Sequence, residues 1–287
     1  MAAKVIWQEM FKDEFETALA ECPVCYLSFG LSEPHGVQNA MGLDGLKAYA
    51  LVQRAAAAHG GVVAPPTWWH VHETPLGLHW LAQQNAPQTY LSSVPPEIFL
   101  HQLLYQLRAA EAAGFRAAVC VTGHYGGIEL DMKQVCSLYS SRRPLRTAAL
   151  ADWEAIRYKD YRGDHAGRCE TSQLWALCPE MVDVSRIPDD FSPEVIFAST
   201  QDARHASRQE GEAIVASQVT FLGNLADSLL QAAQTQPASI RISWEETEQI
   251  WQAMLADQAG WVSHQPAEGF WDYLLERNQK YPWLFEG

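Results

Sequence analysis

The chain has 287 residues, 48% of them hydrophobic and 19% charged, and its 34 acidic against 20 basic residues give a net charge of −14. At this length roughly three quarters of the unfolded surface can be buried on folding, enough for one large α/β domain or two smaller ones. The acidic balance disfavours nucleic acid and anionic membrane, since both need a basic patch, and no apolar run approaches the roughly 18–20 residues of a membrane span.

The N-terminal stretch lacks the apolar core and cleavage site of a signal peptide. Six cysteines in a chain this long make no disulfide framework. A reduced, cytoplasmic setting is the expectation. Cys22 and Cys25 form a lone C-x-x-C with no second pair to complete a zinc site, and read as two ordinary thiols leading into a strand.

In chain order, residues 9–20 predict a helix and residues 24–30 a buried strand. Residues 45–59 are rich in good helix formers and stop at Gly60-Gly61. Residues 62–64 predict a short strand, ended by Pro65-Pro66. An irregular segment carrying Trp68, Trp69, His70, His72, His79 and Trp80 follows to residue 94. It is long for a loop, and such loops are functional or hide short elements. Residues 95–113 predict a helix, 116–121 a buried strand, a helix runs to about Tyr139, and 145–151 is a further strand. Two more helices are expected at about 203–234 and 244–257, then a tail with Trp261, Trp271 and Trp283. The strand–helix alternation predicts a mostly parallel sheet covered on both faces.

Three polar clusters fall just after three of these strands, at residues 32–44, 122–127 and 152–170. That regularity is the internal evidence for one shared site. Glu33 and His35 are two apart, which in extended backbone places them on one face about 6–7 Å apart. Pro34 between them biases Glu33 toward extended geometry, and Gly36 then permits a turn. Carboxylate and imidazole ligands without cysteine suit Zn²⁺, Mn²⁺ or Fe²⁺. Glu33, His35, Asp44, His124 and Glu170 are the candidate ligands. An aspartate can bridge two metals through its two oxygens, and water at such a site becomes hydroxide near neutral pH, a nucleophile for a carbonyl carbon.

Each residue also has a structural explanation. Asp44 before Gly45 suits a helix N-cap. Glu170 in a first helical turn is favoured by the helix dipole. His124 could cap the next helix, and His35 could be a satisfied core histidine. Glu129 and Asp131 lie farther into the helix and are expected at the surface. His70, His72 and His79 either line a substrate pocket or sit in a surface loop. Trp68 and Trp153 are placed nearest a pocket by their positions beside strand ends.

Taken together, Gly30-Leu31-Ser32-Glu33-Pro34-His35-Gly36, Asp44, Thr122-Gly123-His124-Tyr125-Gly126-Gly127, His165-Ala166-Gly167 and Glu170-Thr171-Ser172 resemble the creatininase (creatinine amidohydrolase) family over about residues 24–180. The resemblance implies an α/β fold, a three-layer αβα sandwich with a mostly parallel central sheet, as one domain over 1–287. It implies two divalent metal ions and hydrolysis of a non-peptide C–N bond in a small, sometimes cyclic, amide. It also implies a closed homo-oligomer, commonly a hexamer. Glu33, Asp44 and His124 would hold one metal, and His35, Asp44 and a further carboxylate the other. His165 would be the catalytic acid that protonates the leaving nitrogen.

Creatininase itself has a glutamate two residues after the histidine of the third-strand motif, where this chain has Gly126. Relatives with Gly-Gly there use the glutamate of the Glu-Thr-Ser segment, which makes Glu170 the further carboxylate at the catalytic centre. The departure points away from creatinine. Other branches act on formamides of pyrimidine precursors or on modified peptides. Substrate contacts are expected from Trp68, Trp69, His72, Tyr125 and Trp153. The segment Trp68-Trp69-His70-Val71-His72 differs from the family's glycine- and serine-bearing pocket segment, so a rebuilt pocket is expected. Two rival readings are a non-catalytic metal- or ligand-binding member of the fold, and a lyase or isomerase using the same metals on a sugar-like substrate.

Overall fold

The strand β1, Val24–Phe29, is buried along its whole length. Its side chains alternate: Cys25, Leu27 and Phe29 enter one apolar layer, Val24 and Tyr26 the other. The computed structural model describes residues 4–83, 90–156, 163–190, 198–237 and 242–270. Among these, β2 (Val62–Val63), β3 (Ala117–Thr122) and β4 (Arg146–Ala151) join β1 in a parallel sheet of order β2-β1-β3-β4. Phe29 pairs with Thr122 and Thr122 with Ala151. Three strands therefore end at one level, and the three polar clusters emerge along one edge.

After α1 (Lys12–Glu21), the helices divide between the two faces. On one lie α4 (Pro96–Ala113), α5 (Ile128–Arg142) and α8 (Trp244–Leu255), packed on Cys25, Leu27 and Phe29 together with Trp261. On the other lie α2 (Leu43–His59), α6 (Arg168–Leu177) and α7 (Arg208–Gln234), whose Leu51, Ala176 and Leu222 pack on Val24, Tyr26 and Val119. The architecture is a three-layer αβα sandwich. Each fully buried Leu or Phe in these layers contributes about 1.5–3 kcal/mol of transfer free energy.

The segment expected to be irregular through residue 94 contains a helix, α3 (Pro75–Gln83), with proline at its first position. Helix α5 runs to Arg142 rather than Tyr139. The helix expected from 203 begins at Arg208, because Ser207 accepts a hydrogen bond from the Glu210 amide and caps it. Length and composition make α7 long and apolar enough to cross a membrane, contrary to the expectation that no run is. Here Ile214, Val215, Leu222 and Ala226 are buried against the rest of the molecule. Glu129 and Asp131 are buried rather than on the surface. Asp131 accepts the Val262 and Ser263 amides at 2.8 and 2.9 Å, so the segment after α8 covers this helix. Glu129 accepts the Gly127 amide at 2.9 Å. Burial, then Glu154, raises its pKa to about 7. Cys22 and Cys25 are free thiols, Cys25 inside the core. Trp261 is fully buried; Trp271 and Trp283 lie outside the described residues.

Candidate metal centre

Asp44 reaches the strand ends because glycines clear the way. A Cβ at Gly30 would lie 2.3 Å from the Gly45 nitrogen, and one at Gly123 would lie 2.1 Å from the Asp44 main-chain oxygen. With no side chain at either strand end, the first turn of α2 settles directly on β1 and β3. A Cβ at Gly45 would lie 2.2 Å from Cζ3 of Trp68, so this indole packs on the outside of the same turn. The helix begins at Leu43, with Asp44 inside its first turn, and the Asp44 carboxylate turns to the site rather than capping the helix.

Glu33 and His35 follow β1 and are fully buried. His35 Nδ1 lies 3.0 Å from the Glu33 main-chain oxygen. A carbonyl only accepts, so Nδ1 carries the hydrogen and Nε2 of the neutral ring presents its lone pair. That atom lies 3.2 Å from Asp44 Oδ1, 3.7 Å from Glu33 Oε1 and 3.8 Å from Glu170 Oε2. On the other side, His124 Nδ1 lies 2.9 Å from Glu33 Oε1 and 3.2 Å from Asp44 Oδ2. Three groups have their donor atoms within 4.8 Å of one another: Glu33/His35/His165, and the pair of ligand sets Glu33/Asp44/His124 and His35/Asp44/Glu170. Asp44 belongs to both.

The titrations follow from this crowding. Burial alone would lower the His124 pKa, but Glu33 and Asp44 outweigh it and raise it to about 10. At His35 burial is likewise overcome, by Asp44 first, giving about 9. Burial works to raise Glu33, yet His124 holds it well below the usual carboxylate range, and His35 does the same for Asp44. In the absence of a metal the cluster is therefore a set of carboxylates held together by imidazolium protons.

Glu170 opens α6 from beside this cluster. Its Oε2 accepts the Ala166 amide at 2.7 Å, while Oε1 takes an ion-pair hydrogen bond from Lys47 and lies 3.2 Å from the Tyr125 hydroxyl. Asp164, not Glu170, does most of the capping, accepting the Cys169 and Glu170 amides at 2.9 and 3.1 Å. His165 stacks on His35 with ring centres 4.4 Å apart. Its Nε2 is 3.0 Å from the Pro34 carbonyl oxygen. Nε2 therefore donates there and leaves Nδ1 as the lone-pair atom. Burial, then His35, lowers its pKa. Between His165 and Gly167, Ala166 has φ +49°, a left-handed conformation uncommon outside glycine and a mark of a tightly determined segment.

A cavity of about 270 Å³ opens over the cluster. Glu33, Asp44, His124, His165 and Glu170 form its floor, and Val71, His72, Leu76, Trp80, Tyr125 and Ile128 contribute walls. Of the five residues expected to contact substrate, His72 and Tyr125 line it. Trp68 is spent on α2, Trp69 is 58% exposed at the surface, and Trp153 stands behind Tyr125 with ring centres 6.4 Å apart. His72 Nε2 also lies 2.9 Å from Glu33 Oε2. His70 is a satisfied core histidine: its Nδ1 accepts the Val71 amide and its Nε2 meets Thr122 Oγ1. His79 is exposed on α3 and bonds to Gln83. Sequence reasoning missed Trp80, because α3 was not foreseen. It also missed Lys47, although a lysine three residues after Asp44 falls on the same helix face.

The fold has counterparts among known proteins. A family model for creatininase, described as creatinine amidohydrolase, matches residues 8–226. The chain belongs to the creatininase family. A creatinine amidohydrolase of Pseudomonas putida is 24% identical over 253 residues, covering 75% of this chain and 93% of that protein. A manganese form of creatininase superposes with a TM-score of 0.60 at 23% identity, covering 78% of this chain and 98% of the other. A creatininase variant complexed with creatine gives the same values. At Gly126, where the sequence departs from the family pattern, a Cβ would meet nothing within 4 Å, but φ there is +127°. The space exists; the backbone is one that only glycine adopts with ease.

The residues fit the divalent metals of this family. His35 Nε2 and Asp44 Oδ2 are buried, face opposite charge, and make no directed hydrogen bond. Buried polar atoms left in that state are costly unless a cation satisfies them. The Nδ1–H of His35 is anchored on a main-chain carbonyl, the usual support for a metal-ligating imidazole.

Proposed function

We propose that this chain is a metal-dependent amidohydrolase that cleaves a non-peptide C–N bond of a small-molecule amide, cyclic amides included. The observation that carries the reading is the sharing of Asp44 between two ligand sets on the floor of one cavity. Glu33, Asp44 and His124 would hold one divalent cation, and His35, Asp44 and Glu170 a second. Such cations, Zn²⁺, Mn²⁺ or Fe²⁺, supply Lewis-acid polarisation of the carbonyl and lower the pKa of water at the site.

The chain's own groups do the rest. His165, neutral and tethered through Nε2, offers Nδ1 to take a proton from the attacking water and return it to the departing nitrogen. His72 contacts Glu33 Oε2 and fixes that carboxylate. Val71, Leu76, Trp80 and Ile128 make an apolar wall that holds the rest of the substrate and excludes water. Gly126 stands where creatininase carries an acidic group, and that departure favours an amide other than creatinine. The family reading also carries a closed homo-oligomer, a hexamer, which sedimentation analysis tests, and the cysteine usage favours a reduced, cytoplasmic setting.

Metal analysis of purified protein should find about two divalent cations per chain. Glu33→Ala and Asp44→Ala should lose both metal and turnover on a panel of linear and cyclic amides. Undiminished turnover by thoroughly metal-free protein would overturn the reading.

A further inference from the structure

The outer wall of the cavity leans on a part of the chain that the family match does not reach. That match ends at residue 226, inside α7. Leu76 and Trp80, the wall residues that α3 supplies, sit one turn apart on that helix. Of the nine residues of α3 only Leu81 is buried, so the helix has little core of its own. Leu76 packs instead on a small apolar cluster of Leu130, Val262 and Phe270, separate from the two layers that flank the sheet. Helix α3 also rests on the 3₁₀ turn Val262–His264. That turn is held by α5. Asp131 is buried, and its two oxygens accept the Val262 and Ser263 amides at 2.8 and 2.9 Å. A carboxylate that takes two successive main-chain amides fixes both the place and the direction of the segment. The approach to the turn is clasped as well: Gln134 donates to Asp257 Oδ2 at 2.9 Å, and Gln258 donates to Glu97 Oε1 at 2.6 Å. Ile128, one turn before Asp131 on α5, is itself in the cavity wall. One helix thus supplies part of the wall and carries the support for the rest.

We propose that residues 257–270, seated by Asp131 and Phe270, set the position of α3 and thereby select an amide whose substituent beside the scissile bond is uncharged and apolar, an aromatic ring included. This rests on the reading that the cavity receives an amide substrate. Beyond the floor and His72, no charged side chain among the described residues lines the cavity. A charged substituent there would lose its hydration and find no counter-charge, whereas an apolar one meets Val71, Leu76, Trp80 and Ile128. Asp131 and Phe270 are positioning residues: they act through α3 rather than on the reacting atoms.

The wall can be read without turnover. Acetohydroxamate and benzohydroxamate chelate divalent cations through the same group and differ in carrying a methyl or a phenyl. On the Zn²⁺-loaded full chain, calorimetry should find benzohydroxamate bound about tenfold or more tighter, because the ring buries more apolar surface. Asp131→Ala and Phe270→Ala should each reduce that preference by about threefold or more. Both should leave acetohydroxamate affinity and zinc content as in wild type, and both should speed hydrogen exchange of the amides of residues 75–83. Phe270→Leu, which keeps much of the apolar volume, should stay close to wild type. Should Asp131→Ala fail to fold, Phe270→Ala decides. An unchanged preference in a folded variant, whatever its Tm, would overturn the role of the segment and leave the metal reading standing. Wild type that binds zinc without preferring the phenyl compound would refute the apolar substituent. Wild type that binds neither zinc nor hydroxamate would remove the amidohydrolase reading as well.

Discussion

Gly123→Ala is the sharpest probe of how the site is assembled. The backbone of Gly123 is not in the left-handed region, so alanine suits its own conformation. The difficulty is external: the new Cβ would lie 2.1 Å from the Asp44 main-chain oxygen and 2.8 Å from its carbonyl carbon. Ordinary contact begins at 3.4 Å, so β3 and the first turn of α2 must part by about 1.3 Å, which is 3.4 − 2.1. Overpacking of this kind costs about 1–3 kcal/mol, and at this chain length each kcal/mol lowers Tm by roughly 2–4 °C. The functional loss should be larger. Asp44 would withdraw from His35 and His124, both now at 3.2 Å, and a misplacement of about 1 Å can cost roughly 100-fold in rate. Differential scanning fluorimetry and competition of Zn²⁺ against a chromophoric chelator measure the two effects. Gly42→Ala is the control, because its Cβ would meet nothing closer than 3.7 Å in the same turn. If Gly123→Ala melts and binds metal as wild type does, the close seating of α2 on the strand ends is not what positions Asp44.

In chelated protein, His35 and His124 have folded pKa values raised to about 9 and 10 from an ordinary 6.5. The stability from their protonated forms is complete below about pH 6.5 and lost as pH rises through 9 to 10. The metal-loaded protein should gain instead, since protons cease to compete for the ligands, so the Tm difference between loaded and chelated protein should widen between pH 6.5 and 9; a narrowing would count against the cluster as a metal site. His165→Gln should keep its metals and lose roughly 10²–10⁴-fold in kcat, the usual worth of a proton-transfer group; metal loss would make His165 a ligand instead. Trp80→Ala should raise KM with metal content unchanged, because Trp80 lines the cavity wall with its ring against His72 and His165; an unchanged KM would show that substrate does not reach α3.

The parts of this molecule that were legible in the sequence are those fixed by local pattern. The run Val24–Phe29 announced a strand buried on both faces, and the aligned ends of β1, β3 and β4 follow from strands of six residues each in one parallel register. Polar residues just past those ends then had one edge to share. What stayed hidden depends on contacts between distant segments. Asp131 looks like a surface aspartate until Val262 and Ser263 bring their amides to it. Trp68 looks like a pocket residue until Gly45 offers its ring a bare backbone. Helix α3 escaped notice because Thr74-Pro75-Leu76-Gly77 carries a proline and a glycine, the signals of a loop. Proline at a first helical position satisfies the same pattern, and Gly77 is required there: its Cβ would lie 1.9 Å from the His72 main-chain oxygen.

The charges around the cavity floor constrain the chemistry further. Glu33, Asp44, Asp152 and Glu170 are four buried carboxylates, and Lys47 is the fixed cation among them. The formal sum is −3, from four negative charges and one positive. Burial of such an excess is too costly to persist unopposed. The protons on His35 and His124 reduce it, and the Asp152 pKa, raised to about 6 mainly by burial, shows where the remaining strain lies. Two divalent cations with neutral histidines would bring the sum to +1. That surplus suits a reaction in which a neutral carbonyl oxygen gains negative charge as water attacks, because preorganised positive charge is most effective where charge develops. A single divalent cation would leave −1, which opposes the same step. The arrival of a second cation would therefore turn the net charge of the cavity floor from negative to positive, and turnover should follow occupancy of both positions rather than of one.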